Sequence, residues 1–260
     1  MLTLPSFFFV GTPLWEDPLA QQFLQALRKV GRADSRERER HKVLEYAAQL
    51  SDPNGMCCQR EEDSPMMCAL QHLPSHCEAF LLRVLHVLLQ RGAHPDVAAR
   101  DHTTALHVAV LGHHSQAVRL LLAWNASPDP NPFLSPAPCY WALRQCMHPP
   151  GSRHASSPSE TFLQDFSSLT ELLKAKGQVV QRFSEDKLRS DERDTWPKDY
   201  PARVVLDLIK EVKKLCNGQG VGTSKELFQE KVDREVCRAR QRMKDLCETQ
   251  QLEDSSSFLA

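Results

Sequence analysis

The 260-residue chain lacks the features that mark several common functional classes. Its formal net charge of −1 leaves no basic excess of the kind that nucleic-acid-binding proteins show. No apolar run approaches the roughly 20 residues that a transmembrane helix needs. Alternating runs of β-branched residues are nearly absent, so an extended sheet is not expected. These absences predict a helical protein that binds neither nucleic acid nor a membrane.

The nine cysteines also lack a regular spacing. An odd number of irregularly spaced cysteines favours reduced thiols inside the cell over a disulfide framework. The N-terminus is apolar, but it has no basic residue before Arg28, and Pro5 and Ser6 interrupt it. A secretory signal is therefore not expected. We expect a cytoplasmic protein, with the nucleus as a second location.

What the sequence does contain is a helical pattern, which is clearest between Arg100 and Asp129. Thr104 can cap a first short helix, because a threonine hydroxyl accepts hydrogen bonds from the N–H groups of the first turn. Gly112 ends that helix. A second helix is indicated by apolar residues that recur at helical spacing and form one face: Ala117, Val118, Leu120, Leu121 and Leu122. This segment predicts two short antiparallel helices with a turn at each end.

The helical pattern repeats along the chain. The stretch 88–96 can be aligned with the stretch 121–129, and every position is then offset by 33 residues. The same offset places Ala137 to Ala142 at the start of a further unit, while Ser64 starts the preceding one several residues early. An insert between the helices of that unit is therefore expected from Gln71 to Glu78. A period of this length indicates stacked helical repeats.

The T-x-L-H-x-A motif that begins at Thr104, the leucine run that follows, and the exit Asn-Ala-x-Pro-Asp from Asn125 resemble an ankyrin repeat. The resemblance implies an all-α fold: an ankyrin-repeat helical solenoid with short hairpin turns, followed by C-terminal amphipathic helices. It assigns structural roles within the repeat to Thr104, Leu106, His107, Ala109, Leu121 and Leu122. His102 replaces the usual turn glycine, and the conformation that glycine allows costs more with a side chain.

The pattern divides the chain into five predicted segments. They are an N-terminal helical lead-in (1–40), the repeat array (41–180), a charged linker (181–200), a C-terminal helical region (201–252) and a frayed tail (253–260). An amphipathic helix beginning at Pro201 is expected to dock, because its apolar stripe would otherwise form an exposed patch. A shortened form of a longer array remains an alternative description of the chain.

The resemblance implies a non-enzymatic module that binds a protein partner and needs no cofactor. The favoured function is an intracellular adaptor or scaffold. The candidate binding residues lie at the hairpin and on or just after the first helix of the best repeat: Arg100, Asp101, Thr103, Leu111 and His114. The stretches Gln71 to Cys77 and Arg144 to Thr161 are expected to project from the array and to add specificity.

A second hypothesis is a metal- or thiol-dependent enzyme built around a Cys/His cluster at residues 57–77. Its members are Cys57, Cys58, Cys68, His72, His76 and Cys77. Zinc needs four such ligands, usually arranged as two close pairs. Adjacent cysteines make a poor chelating pair and no C-x-x-C is present, so no metal site is predicted. No nucleophile motif accompanies His107, for which a structural role is expected.

Overall fold

In the computed structural model, α-helices dominate the residues that the structure describes, which are 16–32, 37–57, 63–129, 137–147, 159–176, 201–217 and 225–257. The chain divides into two compact units, Met1–Ala137 and Pro138–Ala260. Within the described ranges, extended pairing is limited to one isolated antiparallel bridge, between Ala98 and Thr104. None of the helices in these ranges is long and apolar enough to cross a membrane. The predicted all-α fold is confirmed.

Six α-helices of the first unit pack as three consecutive pairs. The pairs are α1 (Pro18–Arg32) with α2 (Glu37–Gln49), α3 (Pro65–His72) with α4 (Glu78–Gln90), and α5 (Ala105–Leu111) with α6 (Ser115–Ala123). The first helices stack in the order α1, α3, α5, and the second helices stack in the order α2, α4, α6. Each pair therefore buries its apolar face against the next pair, as in a helical solenoid.

The helix α1 occupies the position of a first helix in this stack, although the sequence predicted only a lead-in. Asp17 caps it, since its Oδ1 accepts the N–H of Leu19 at 2.9 Å, and Pro18 suits the first helical position. Its apolar face is buried, including Phe23 and Leu27. The predicted start of the array at residue 41 falls inside α2, so the charged stretch before it forms the first turns of a helix.

Left-handed backbone marks equivalent turns in successive pairs. Gly92 follows α4 with a φ of 91°, and Asn125, which is 33 residues later, follows α6 with a φ of 61°. His102 in the hairpin and His113 between α5 and α6 also have positive φ values, 66° and 60°. The expectation that a side chain at residue 102 occupies a glycine-type conformation is therefore confirmed.

The second unit contains four described helices. They are α7 (Pro138–Met147), α8 (Glu160–Lys176), α9 (Pro201–Asn217) and α10 (Lys225–Ser257). The helix α7 packs on α8 and α9, and α10 packs on α8 and α9, so the four helices close around a common core. The predicted stripe of α9 lies in that core, with Val205 and Val212 fully buried. This helix docks, as its sequence predicted.

Two predicted boundaries in the second unit were wrong. The insert was expected to begin at Arg144, but α7 continues to Met147 because its apolar face extends through Cys146 and Met147. The tail was expected from residue 253, but α10 continues to Ser257. The rest of that insert up to residue 158 and the charged linker lie outside the described residues.

Candidate protein-binding surface

The candidate surface begins at a hairpin between residues 98 and 104. The N–H of Ala99 donates to the carbonyl oxygen of Thr103 at 2.8 Å, and the N–H of His102 donates to that of Ala99 at 2.9 Å. Asp101 Oδ1 accepts two hydrogen bonds from Thr103, one from its N–H at 3.0 Å and one from its hydroxyl at 2.7 Å. The carboxylate of Asp101 therefore holds the turn in a defined shape.

The structure places four of the five predicted binding residues at or near the surface. Arg100 and Asp101 are exposed at the hairpin, and Thr103 is half-buried beside them. Leu111, at the end of α5, is 45% exposed, which is unusual for a large apolar side chain in this stack. We name Arg100, Asp101, Thr103 and Leu111 the hairpin surface. Partner binding by these residues stays a prediction.

His114 does not belong to the hairpin surface, and this part of the prediction was wrong. Its side chain is 1% exposed, because the residue that precedes α6 turns inward. Its Nε2 lies 3.3 Å from the carbonyl oxygen of Leu70 in α3, to which it donates in the neutral ring. Nδ1 is buried without a hydrogen-bond partner. Burial lowers the pKa of the His114 imidazole.

Thr104 and His107 are hydrogen-bonded to each other at the start of α5. The N–H of Thr104 donates to Nδ1 of His107 at 3.1 Å, and the Thr104 hydroxyl lies 3.0 Å from the same nitrogen. Because Nδ1 accepts a backbone hydrogen bond, it carries no proton in this arrangement. Both side chains are 1% exposed. A buried imidazole that is engaged in this way is poorly placed to act as a catalytic base.

The other structural residues of the repeat lie in the core with one difference. Leu106, Ala109 and Leu121 are fully buried. Leu122 was expected to be a core residue too, but it is only half-buried. Consecutive positions on a helix are about 100° apart, so one of the two adjacent leucines points toward the edge of the buried face.

Polar side chains join successive pairs through backbone groups, a feature that the sequence reasoning missed. Asn54 Oδ1 accepts the N–H of His94 at 2.6 Å, and Asp96 Oδ1 accepts the N–H of Ser127 at 2.8 Å. The two donors are 33 residues apart, so the bond recurs with the repeat. Burial raises the pKa of Asp96, and the hydrogen bond from Ser127 opposes this shift. In the sequence, Asn54 and Asp96 stand in the turns that follow α2 and α4, and this placement could have indicated the two bonds.

The predicted insert at Gln71 to Cys77 does not project from the array. Leu73 is fully buried, and Cys77 is 8% exposed. A single 3₁₀ turn, Ser75–Cys77, leads directly into α4. The expectation of a projecting loop was wrong because its apolar residues are packed into the core rather than exposed to solvent.

The Cys/His cluster does not form a metal site within the described part of the chain. There, no three His, Cys, Asp or Glu side chains are grouped so that they could hold a metal ion. Cys57, Cys68 and Cys77 are buried thiols, while Cys58 lies outside the described residues. The enzyme hypothesis therefore gains no support from these ranges.

Comparisons with known proteins agree with the geometry of the helix pairs. Residues 73–122 match the family described as ankyrin repeats (many copies). An ankyrin repeat protein of Acanthamoeba polyphaga mimivirus is 39% identical over 51 residues, which are 20% of this chain and 12% of that protein. No solved structure matches the chain significantly.

The matched residues contain α4, the hairpin, α5 and nearly all of α6. The prediction of ankyrin repeats is confirmed for this part of the chain. Ankyrin repeats generally mediate protein–protein interaction, and proteins of this family are generally not enzymes.

Proposed function

We propose that this protein is an intracellular adaptor or scaffold that binds a protein partner through the hairpin surface. The observation that carries the proposal is that Arg100, Asp101 and Leu111, the last of them 45% exposed, lie on the hairpin and first helix of the segment that matches ankyrin repeats. Burial of the Leu111 side chain by a partner would remove apolar surface from water, which favours association. The proposed location is the cytoplasm, with the nucleus as the alternative.

The hairpin adds defined polar groups to this apolar contact. Asp101 is held by two bonds from Thr103, so the turn keeps its shape before a partner arrives. A preformed surface loses less conformational entropy on binding. Arg100 is exposed next to Asp101, and arginine is enriched among residues that dominate interface energies. His107 and His114 are buried, so neither imidazole is presented on this surface.

Site-specific photo-crosslinking tests the proposal. A photoreactive amino acid placed at Leu111 should form a crosslink to a protein partner in cells, and mass spectrometry then identifies that partner. The matched control carries the same group at Arg83, which is exposed on α4 in the row of second helices. The substitution Arg100→Glu should weaken binding of the identified partner.

A partner that is crosslinked from residue 111 and weakened by Arg100→Glu supports the proposal. Crosslinks that form equally well from residue 83, or partner binding that is unchanged by Arg100→Glu, count against binding at the hairpin surface.

A further inference from the structure

The first helices of the three pairs carry no carboxylate. The sequences of α1, α3 and α5 contain neither Asp nor Glu. The helix α2, which pairs with α1, in contrast carries Glu37 and Glu39 in its first turn. The side chains exposed on the first helices include Gln25, Arg28 and Lys29 of α1, Gln71 of α3 and Leu111 of α5. These exposed groups are therefore amides, cations and one leucine.

Two carboxylates that border α3 and α5 already accept hydrogen bonds within the first unit. Asp63, just before α3, is 2% exposed, and its Oδ2 accepts the side-chain amide of Gln71 at 2.9 Å. Asp101 is exposed, but its Oδ1 accepts both hydrogen bonds from Thr103. Glu37 and Glu39 begin α2, which packs on α1. From residue 28 to residue 40, however, the sequence carries six cationic side chains and three carboxylates, so this stretch is net positive.

The close packing of α1 on α3 brings this end of α1 to the end of α3. A Cβ atom added at Gly31 would collide with the carbonyl oxygen of His72. Arg28 and Lys29 lie within one helical turn of Gly31, and Gln71 is adjacent to His72. Since α3 in turn stacks on α5, the cations, Gln71 and Leu111 lie on three consecutive helices of one row.

We propose that this first-helix surface, formed by Arg28, Lys29, Gln71 and Leu111, binds an acidic protein segment that carries an apolar side chain for Leu111. The inference rests on the proposed function and specifies the chemistry of the partner. Complementary charge increases the rate and specificity of association, while a buried apolar contact contributes most to affinity.

The same surface is poorly suited to nucleic acid. Strong binding to a phosphate backbone takes several cationic contacts, about 6–10 in typical complexes. The cations of the first-helix surface are Arg28 and Lys29, and Arg100 lies on the hairpin that precedes α5. An exposed leucine also has no counterpart on a phosphate backbone, whereas an apolar side chain of a peptide fits it.

Selection of peptides from a random phage-displayed library on the full chain tests the inference. Selected peptides should be enriched in Asp and Glu around an apolar residue. Their affinity should fall about tenfold or more with the pair Arg28→Glu and Lys29→Glu, because like charges then face each other. The milder pair Arg28→Gln and Lys29→Gln should give a smaller loss. The matched control pair, Arg83→Glu and Arg119→Glu, changes exposed arginines on the second helices α4 and α6.

Each outcome separates this inference from the proposed function. Acidic peptides that lose affinity only with the α1 variants support it, provided that each variant melts like the wild type. Peptides without acidic enrichment that still crosslink to residue 111 overturn the acidic partner but leave the adaptor proposal standing. Peptides that depend on Arg83 and Arg119 instead overturn both. Displacement of the peptide by equimolar single-stranded oligothymidine overturns the assignment to a protein partner.

Discussion

Gly31 of α1 lies so close to His72 of α3 that residue 31 has no room for a side chain. The carbonyl oxygen of His72 would lie far closer to a Cβ atom at residue 31 than van der Waals contact allows. This contact places α1 in the row of first helices, next to α3. Residues 18–32 are thus an integral part of the first unit.

The substitution Gly31→Ala should destabilise the first unit, although alanine is the better helix former. Moving a backbone carbonyl or a whole helix to make room costs roughly 1–3 kcal/mol, which exceeds the 0.5–1 kcal/mol gained from helix propensity. Urea unfolding measures the difference. Gln25→Ala, at an exposed position of the same helix, is the control and should be nearly neutral. A stabilising Gly31→Ala would show that α1 does not pack on α3.

The two adjacent leucines of α6 should respond differently to truncation. Leu121 is fully buried, so Leu121→Ala should cost roughly 2–5 kcal/mol of unfolding free energy. Leu122 is half-buried and should lose clearly less. Thermal and urea unfolding of both variants provide the comparison. Equal losses would mean that the buried face of α6 is assigned incorrectly.

Acid should weaken the first unit through His114. The folded protein lowers the pKa of this imidazole from its ordinary value of 6.5, chiefly by burial. Below that pH the unfolded chain therefore binds more protons than the folded chain, and stability falls as the pH drops through 6.5 toward the lowered pKa. Hydrogen bonds with the backbone of Leu70 and Leu73 favour the charged ring, but burial outweighs them, and the nearby His113 acts in the same direction as burial.

The variant His114→Gln isolates this effect, because it removes the titrating group at that position. It should be less stable than the wild type near neutral pH, where the packed ring is lost. The difference between the two should shrink as the pH falls below 6.5. Urea titrations on both sides of that pH measure it, and a difference that is independent of pH would rule out His114 as the source.

The left-handed turns after α4 and α6 can be tested with opposite substitutions, one that adds a side chain and one that removes it. At Gly92 an added Cβ meets nothing within 4 Å, so Gly92→Ala should cost only the conformational strain of a φ of 91°, about 1–2 kcal/mol. Asn125 has a φ of 61°, and Asn125→Gly should change stability by less than about 1 kcal/mol, because asparagine tolerates this region. Differential scanning calorimetry compares the two. A neutral Gly92→Ala would show that this turn adopts another conformation.

The repeats were predictable because helical period and turn chemistry agree between residues 88 and 129, where aligned positions are 33 apart. The role of α1 was missed because Asp17 and Pro18 start a helix without the T-x-L-H-x-A motif that identifies α5. Apolar spacing alone shows that a helix is buried, but it does not show which helix it packs against. The arrangement of α7 to α10 depends on tertiary contacts of the same kind.

Only part of the candidate site was predictable, because local patterns indicate exposed turns but not contacts between distant residues. Turn residues such as Arg100 and Asp101 are exposed because hairpins lie at the surface. The position of His114 depends on a contact with Leu70, which is 44 residues earlier, and no local pattern indicates such a contact. Leu122 shows the same limit, since the edge of a buried face is set by the neighbouring helix.

Hydrogen–deuterium exchange of the full chain with its crosslinked partner bound tests the central claim most directly. Binding at the hairpin surface should slow amide exchange in residues 98–104 and in α5, while α4 and the second unit exchange as in the free protein. The amides of Arg100 and Asp101 provide the most sensitive readout, because their side chains are exposed at the hairpin. Protection confined to α4 and α6, or to the second unit, would contradict the proposal.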